Sequence, residues 1–488
     1  MTKKLARSFI KAIPWTIGDA LISIIYGVSM VVLLGRLVSA ADVGIGSIAL
    51  ATCQIVEALT AGGLQEAVIR TRSGDTTVTD TAYVLAILSS ILGFFVCVAL
   101  GWPLTLIFSD HRLFALLVVS GLILPTNALT IIPTAILARK MRAPALTRRF
   151  VFGKICGIIT LLVTGFGHFG PWCLILSGLA VSVGSLISVF VGSQRWPRLR
   201  FKLNEAATLM RFGRLIAMDT FAWICATRVF AILFGFFHGV IDLGYFQFGQ
   251  RLVDEIAALL QTSFARLGFS YFSGLNREGR EMRSTFEMGT RLLTAVSAAV
   301  YVGLALVADD LVLLMFGVSW TPMVPLIQIL ALAWAISFPF ILTPPALKAK
   351  GRPDLLFWFG LVKGLFTLAA GVVTGGLSAN FGVACWAAGM VLTVPWSLIQ
   401  INEHLGIPIL LQFYQMIPSA IATATMCVII TLVYVVGYDA SPVCRLGASI
   451  TLGAIAYCLA IWKVDPVLRG IVASVFVRMK WPRILAAR

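Results

Sequence analysis

Apolar residues fill most of the chain in blocks of about 20 or more, each long enough to cross the hydrocarbon core of a bilayer as one helix. Short turns rich in polar residues, Gly and Pro separate the blocks. The pattern predicts fourteen spans, at 12–35, 43–68, 80–104, 113–138, 148–167, 170–192, 213–236, 242–268, 287–308, 320–346, 355–376, 380–401, 408–436 and 446–462. The fold class that follows is an all-α polytopic membrane protein. Outer loops of about ten residues or fewer leave no room for a catalytic domain there. The longest inner segments are 193–212 and 269–286, both mixed polar and basic.

Charge in the loops alternates. One set carries Arg70 and Arg72, then Arg139, Lys140, Arg142, Arg148 and Arg149. It continues through Arg195, Arg198, Arg200, Lys202, Arg211 and Arg214, then Arg277, Arg280, Arg283, Lys348, Lys350, Arg352 and the basic tail. The opposite set holds only Arg36, Arg112 and Arg445. Basic loops stay in the cytoplasm, so both termini are expected there, and the span count is expected to be even. Met1 to Ile13, with Lys3, Lys4, Arg7 and Lys11, reads as a basic amphipathic lead-in to an uncleaved first span.

Composition agrees with this picture. The 488 residues are 59% hydrophobic and 12% charged, and the mean hydropathy is +0.95. Soluble domains carry about 25% charged residues, so a cytosolic enzyme with a small anchor is excluded. The net charge of +17 is explained by the inner loops, and no nucleic-acid partner is expected. Nine cysteines are scattered singly with no metal spacing, and they read as packing residues.

The chain also repeats itself. Phe150-Val151-Phe152-Gly153 in the fifth span returns as Phe357-Trp358-Phe359-Gly360 in the eleventh. At the same offset Gly157 matches Gly364, and Thr160-Leu161 matches Thr367-Leu368. Spans one and seven share Asp19 and Asp219, and their outer turns share Asp42-Val43-Gly44 and Asp242-Leu243-Gly244. Such repeats predict two six-helix bundles in the same orientation, with substrate held between the halves and access alternating as they rock. The expected organisation is an N-terminal bundle at 1–192, a cytoplasmic linker at 193–212 and a C-terminal bundle at 213–401. Two additional helices and a tail occupy 402–488.

Five short segments, in order, resemble a known family. They are Gly35-Arg36-Leu37-Val38-Ser39-Ala40-Ala41-Asp42-Val43-Gly44, Gly63-Leu64-Gln65-Glu66-Ala67-Val68-Ile69-Arg70, and Ala135-Ile136-Leu137-Ala138-Arg139-Lys140-Met141-Arg142. Phe316-Gly317-Val318-Ser319-Trp320 and Ala346-Leu347-Lys348-Ala349-Lys350-Gly351-Arg352 complete the set. They are similar to motifs of the Wzx-like polysaccharide flippases, the polysaccharide-transporter branch of the multidrug/oligosaccharidyl-lipid/polysaccharide exporter superfamily. The resemblance implies a fourteen-helix, two-bundle protein of the bacterial inner membrane. It also implies export of a saccharide carried on undecaprenyl pyrophosphate, for exopolysaccharide or O-antigen synthesis.

Ionisable residues at membrane depth are rare and mark cavities, pairs or ligands. Those of this chain are Asp19, Glu57, Lys154, Asp219, Arg228, Arg251, Asp254, Glu255 and Lys363. Arg228 lies mid-span, too deep to reach water easily. A guanidinium there suits phosphate oxygens, or it pairs with Asp219 or an acid of span eight. Lys154 and Lys363 sit at nearly equivalent depth in the two halves. They make a basic vestibule for a pyrophosphate head group, or they snorkel to lipid phosphates. Arg251, Asp254 and Glu255 share one helical face as a self-neutralising cluster or as part of a coupling site. Asp19 and Asp219 allow the same two readings, and Glu57 stands alone in the second span, where a protonated carboxyl is plausible.

No histidine spacing suggests a metal, no phosphate-cradling Gly-rich loop precedes a Lys-Ser or Lys-Thr, and no cofactor is expected. Prolines at 125, 133, 339, 344, 345 and 395 read as kinks or hinges. The basic vestibule favours an anion-headed substrate. The leading expectation is therefore a non-enzymatic flippase for a lipid-linked oligosaccharide. Its expected partners are that lipid, membrane lipids and other polysaccharide-assembly membrane proteins. A cation-coupled small-molecule exporter and a membrane glycan polymerase or ligase are the alternatives.

Overall fold

The computed structural model describes residues 22–23, 25–61, 64–65, 68, 76–139, 143–192, 198–277 and 282–470. The basic lead-in and Asp19, residues 193–197 at the start of the 193–212 linker, and residues 471–488 of the basic tail lie outside these residues, as does the side chain of Asp219.

In lipid each backbone N–H and C=O must find its partner within its own segment, which selects helices. The described residues accordingly form helices joined by short turns, with no strand among them. In chain order they begin with α1 (Ile25–Leu37), α2 (Ala40–Ala61), α3 (Thr76–Phe108), α4 (Arg112–Gly121) and α5 (Ile123–Arg139). Next come α6 (Ala143–Phe166), α7 (Trp172–Gly192), α8 (Leu203–His238), α9 (Val240–Arg277) and α10 (Arg283–Ser297). Then follow α11 (Gly303–Phe316), α12 (Val324–Ser337), α13 (Thr343–Ala349) and α14 (Pro353–Val373). The last four are α15 (Ala379–Val391), α16 (Thr393–Leu405), α17 (Ile409–Val436) and α18 (Pro442–Val464).

Eleven helices or helix pairs among the described residues are long and apolar enough to cross a membrane. Helices of 36 and 38 residues, α8 and α9, occupy the places of the seventh and eighth predicted spans. Part of the first is α1. Several spans are interrupted where the sequence carries proline. Pro339 lies in a 3-10 turn at Phe338–Leu342, and Pro344 and Pro345 open α13 just after it. A proline removes one backbone donor and is best placed at a helix start. The α15–α16 break at Leu392 is likewise followed by Pro395.

The chain divides into two compact units. Unit one is Met1–Leu259 with Phe357–Cys385, and unit two is Leu260–Leu356 with Trp386–Arg488.

In unit one, buried Cys53, Val56, Cys97, Ile123 and Leu124 pack α2, α3 and α5 together. Small residues let the next pair of helices approach closely. A Cβ at Gly153 would meet the Val181 carbonyl of α7 at 2.7 Å, and one at Gly184 would meet the Cys156 sulfur of α6 at 2.9 Å. The N-terminal ends of α2 and α9 come closer still, and reciprocally. Gly44 lies against the Val240 carbonyl, and Gly244 lies against the Ala40 carbonyl. These are the glycines of the repeated Asp-x-Gly turns. Nearby, Ser39 accepts the Asp42 N–H at 3.2 Å and donates to its carboxylate at 2.7 Å, starting α2. Arg112 bridges Asp42 at 3.2 Å and Asp110 at 2.9 Å. Its hydrogen bonds hold the Asp110 carboxyl below the usual carboxylate range.

In unit two, α17 and α18 pack on α11 through buried Val307, Ala422, Met426, Ile430 and Tyr457. The expected end of span nine, at residue 308, is corrected here. The helix runs on to Phe316 and carries Asp309 and Asp310 with it. The physical reason is a partner far away in sequence. Arg445, expected as an outer-loop base, donates from Nε to Asp310 Oδ2 at 2.7 Å and from a second nitrogen to Oδ1. Beyond the far end of α18, Arg291 donates to the fully buried Asp465 at 2.6 Å. Between these pairs the Tyr457 hydroxyl donates to the Ala295 carbonyl at 2.7 Å.

Candidate functional site

Unit one gathers most of the ionisable residues singled out in the sequence. Lys154, on α6, donates from Nζ to Ser23 Oγ. The same ammonium lies 5.8 Å from the centroid of the Tyr26 ring on α1, within the range of a cation–π contact. Glu255 of α9 feels the charges of both Arg251 and Lys154. Arg251 in turn lies near the Tyr26 hydroxyl. Arg228 of α8 stands within electrostatic reach of Arg251 and Asp254.

Helical geometry explains why α9 contributes three members. Residues 251, 254 and 255 follow i, i+3, i+4 spacing and share a face. Small residues on α1 and α6 give this face its room. Gly27 lies directly against the Glu255 carboxylate, and a Cβ on Gly157 would come 3.4 Å from the Tyr26 hydroxyl. A larger side chain at either position would enter the polar cluster.

The cluster therefore holds three bases, Lys154, Arg228 and Arg251, with two acids, Asp254 and Glu255. Its balance is one positive charge when all five ionise. A bare excess of positive charge among low-dielectric helices favours an anion or an anionic group on a larger molecule.

Two other expected residues stand apart from it among the described contacts. Glu57 accepts from Asn127 Nδ2 of α5 at 2.8 Å, a partner on a neighbouring helix. Lys363, on α14, is partly buried, and no ion pair or hydrogen bond engages its ammonium among the described residues. Asp219 lies on α8.

Sequence reasoning missed Ser23, Tyr26, Gly27 and Asn127. Each is a small or polar residue inside an apolar run, and polar uncharged residues at membrane depth are the signal that would find them. It also missed the long-range pairs of Asp310 and Asp465, because each partner lies more than 130 residues away in sequence.

Comparison with solved structures places this arrangement in a known fold. The lipid II flippase MurJ, in an inward closed conformation, superposes with a TM-score of 0.71 at 13% identity, covering 93% of this chain and 98% of that one. A multidrug resistance MATE family transporter of the MOP superfamily, inward-facing, superposes with a TM-score of 0.59 at 15% identity, covering 80% and 98%. The protein is thus a multi-span membrane protein with the fold of these two structures. The sequence narrows it further. A family model described as polysaccharide biosynthesis protein matches residues 33–325, and the chain belongs to that family. The succinoglycan biosynthesis transport protein ExoT of Rhizobium meliloti (strain 1021) is 23% identical over 351 residues, 71% of this chain and 70% of that protein. The lipopolysaccharide biosynthesis protein WzxC of Escherichia coli (strain K12) is 22% identical over 297 residues, 58% and 59% of the two chains.

Proposed function

We propose that this protein is a flippase. It moves an oligosaccharide repeat unit, linked to undecaprenyl pyrophosphate, from the cytoplasmic to the outer leaflet of the bacterial inner membrane. The observation that carries this reading is the gathering of Lys154, Arg228 and Arg251 on three helices of unit one. A pyrophosphate head group is the anionic part of such a lipid, and guanidinium groups suit its oxygens.

In this reading the polar cluster accepts the head group while the prenyl tail stays in lipid. Lys363 adds a fourth base, in the span of the other repeat that matches that of Lys154. Bundles 1–192 and 213–401, joined by the cytoplasmic linker 193–212, alternate access by rocking. Residues 402–488 form the two additional helices and a cytoplasmic tail. The reciprocal packing of Gly44 and Gly244 supports the repeat on which this division rests. Asp19, Glu57, Asp219, Asp254 and Glu255 are the acids available for coupling to a cation. Chemistry on the saccharide belongs to other proteins of the assembly.

Translocation in proteoliposomes tests the proposal. A fluorescent lipid-linked pyrophosphoryl oligosaccharide is followed as it reaches the opposite leaflet, for wild type, Arg228→Ala and Arg251→Gln. Wild type is expected to translocate. Each variant loses about tenfold or more in rate, the effect of one charge-assisted hydrogen bond of about 1.5–3 kcal/mol. Folded wild type that fails with the pathway's own lipid overturns the flippase reading. Unchanged rates in both variants overturn the role of these bases and leave the flippase standing.

A further inference from the structure

Arg149 stands on the second turn of α6, five residues before Lys154. At 100° per residue the two side chains leave the helix about 140° apart, so Arg149 faces away from the central cluster. It meets α5 instead, where one of its nitrogens donates to Thr130 Oγ1 at 3.2 Å. Its guanidinium carbon lies 5.2 Å from the centroid of the neighbouring Phe150 ring. The Nε donor is buried, with no acceptor among the described residues. Among the described residues no carboxylate pairs with Arg149, and the residue keeps partial exposure.

The nearest acid along its hydrogen-bond line is two residues removed. Thr130 donates to the Asn127 carbonyl at 2.7 Å, and Asn127 donates to Glu57 at 2.8 Å. Neither link neutralises the guanidinium. A cation held among membrane helices without a counter-charge is costly, and buried donors without acceptors are rare. Among the described residues the site offers Arg149 no counter-charge, and the planar fork of an arginine matches phosphate oxygens.

We propose that Arg149, braced by Thr130, anchors a phosphate-binding subsite on the α5–α6 face, separate from the Lys154–Arg251 cluster. Its ligand is a phosphate or pyrophosphate group, carried either by a phospholipid head group or by a lipid-linked substrate. The subsite goes beyond the flippase reading and does not depend on it, because its test uses binding and not translocation.

The full-length protein in nanodiscs of phosphatidylcholine is titrated with inorganic pyrophosphate. The titration is made in a Lys154→Gln, Arg251→Gln background, which leaves Arg228 against Asp254 and Glu255 and turns the balance of the central cluster negative, so that it no longer draws the anion. Adding Arg149→Gln is expected to weaken binding about tenfold, and Arg149→Lys to restore part of it. A second arm counts phosphatidylglycerol retained by wild type and by Arg149→Gln from mixed nanodiscs. Loss in the first arm supports a substrate-type pyrophosphate, and loss in the second alone supports a lipid head group. A third reading serves where the triple variant does not fold. Wild type should melt higher when either anion is added, whereas Arg149→Gln should melt no lower than anion-free wild type and gain nothing from the anion. No loss in either binding arm overturns the subsite. So does a lower melting temperature for Arg149→Gln in a protein that no anion stabilises, because Arg149 would then be only a hydrogen-bond donor to Thr130.

Discussion

Asp310 and Arg445 illustrate how much one side chain can hold when its partner is buried with it. The Asp310 carboxylate is 1% exposed and the Arg445 side chain 19%. Breaking such a pair leaves one charge stranded, whereas removing both leaves a packing problem only. Arg445→Met is therefore expected to cost about 3 kcal/mol, the low end for a buried pair because one partner is partly open. The double variant with Asp310→Asn should recover much of the loss. Melting of the four proteins in detergent gives the coupling energy directly, and a coupling near zero would show the pair to be incidental. Glu57 offers a contrasting case. Its described partner is the neutral Asn127 amide, which a glutamine carbonyl accepts from equally well. Glu57→Gln should melt within about 0.5 kcal/mol of wild type, while Glu57→Ala strands the Asn127 donor and costs about 1–3 kcal/mol. If Glu57 is a coupling acid, Glu57→Gln will also translocate at a rate that no longer responds to an imposed proton gradient. A response equal to wild type would remove it from that role.

Among the elements, the crossing of α2 and α9 depends on the absence of two Cβ atoms. Gly44 meets the Val240 carbonyl, and its Cβ would also lie 3.2 Å from the Gly244 nitrogen. Backbone atoms cannot turn aside as a side chain can, so Gly44→Ala must part the helices. Gly360, on α14, has nothing within 4 Å of its would-be Cβ. Gly360→Ala should then be neutral or stabilise by about 0.5–1 kcal/mol, as expected for helix propensity alone. A melting comparison of the two variants separates close packing from propensity, and equal effects would contradict the crossing. The likeness of the two Asp-x-Gly turns was legible in the sequence, although their mutual contact was not, because a constant offset reveals similarity and not proximity. Helix ends were legible wherever turns are polar and uncharged. They were misread at span nine, where Asp309-Asp310 looks like a loop until Arg445 is known to lie against it. The candidate site was legible through its charges, since Lys154, Arg251 and Glu255 are conspicuous in apolar runs. Ser23, Tyr26 and Gly27 were not, because what they do depends on which helix arrives opposite them.

For the whole molecule, loop charges distinct from those of the site are expected to set its orientation. The two sets of loops differ so strongly in Lys and Arg content that the positive-inside rule assigns one face to the cytoplasm without reference to any domain. Neither helix packing nor the family fixes this, since the fold would be equally well satisfied upside down in a symmetric bilayer. Orientation nevertheless decides which leaflet supplies the substrate, and hence whether the basic cluster receives or releases it. Cys444 provides a native probe, because it is exposed on the first turn of α18, beside Arg445 and on the sparsely charged face. In a variant that keeps Cys444 as its single cysteine, a membrane-impermeant maleimide should label intact cells once the outer membrane is permeabilised. A cysteine placed instead at Lys350, in a basic loop, should react only after the inner membrane is opened. The reverse pattern would place the basic loops outside. The proposed direction of transport would then have to be reversed, even if translocation itself were observed.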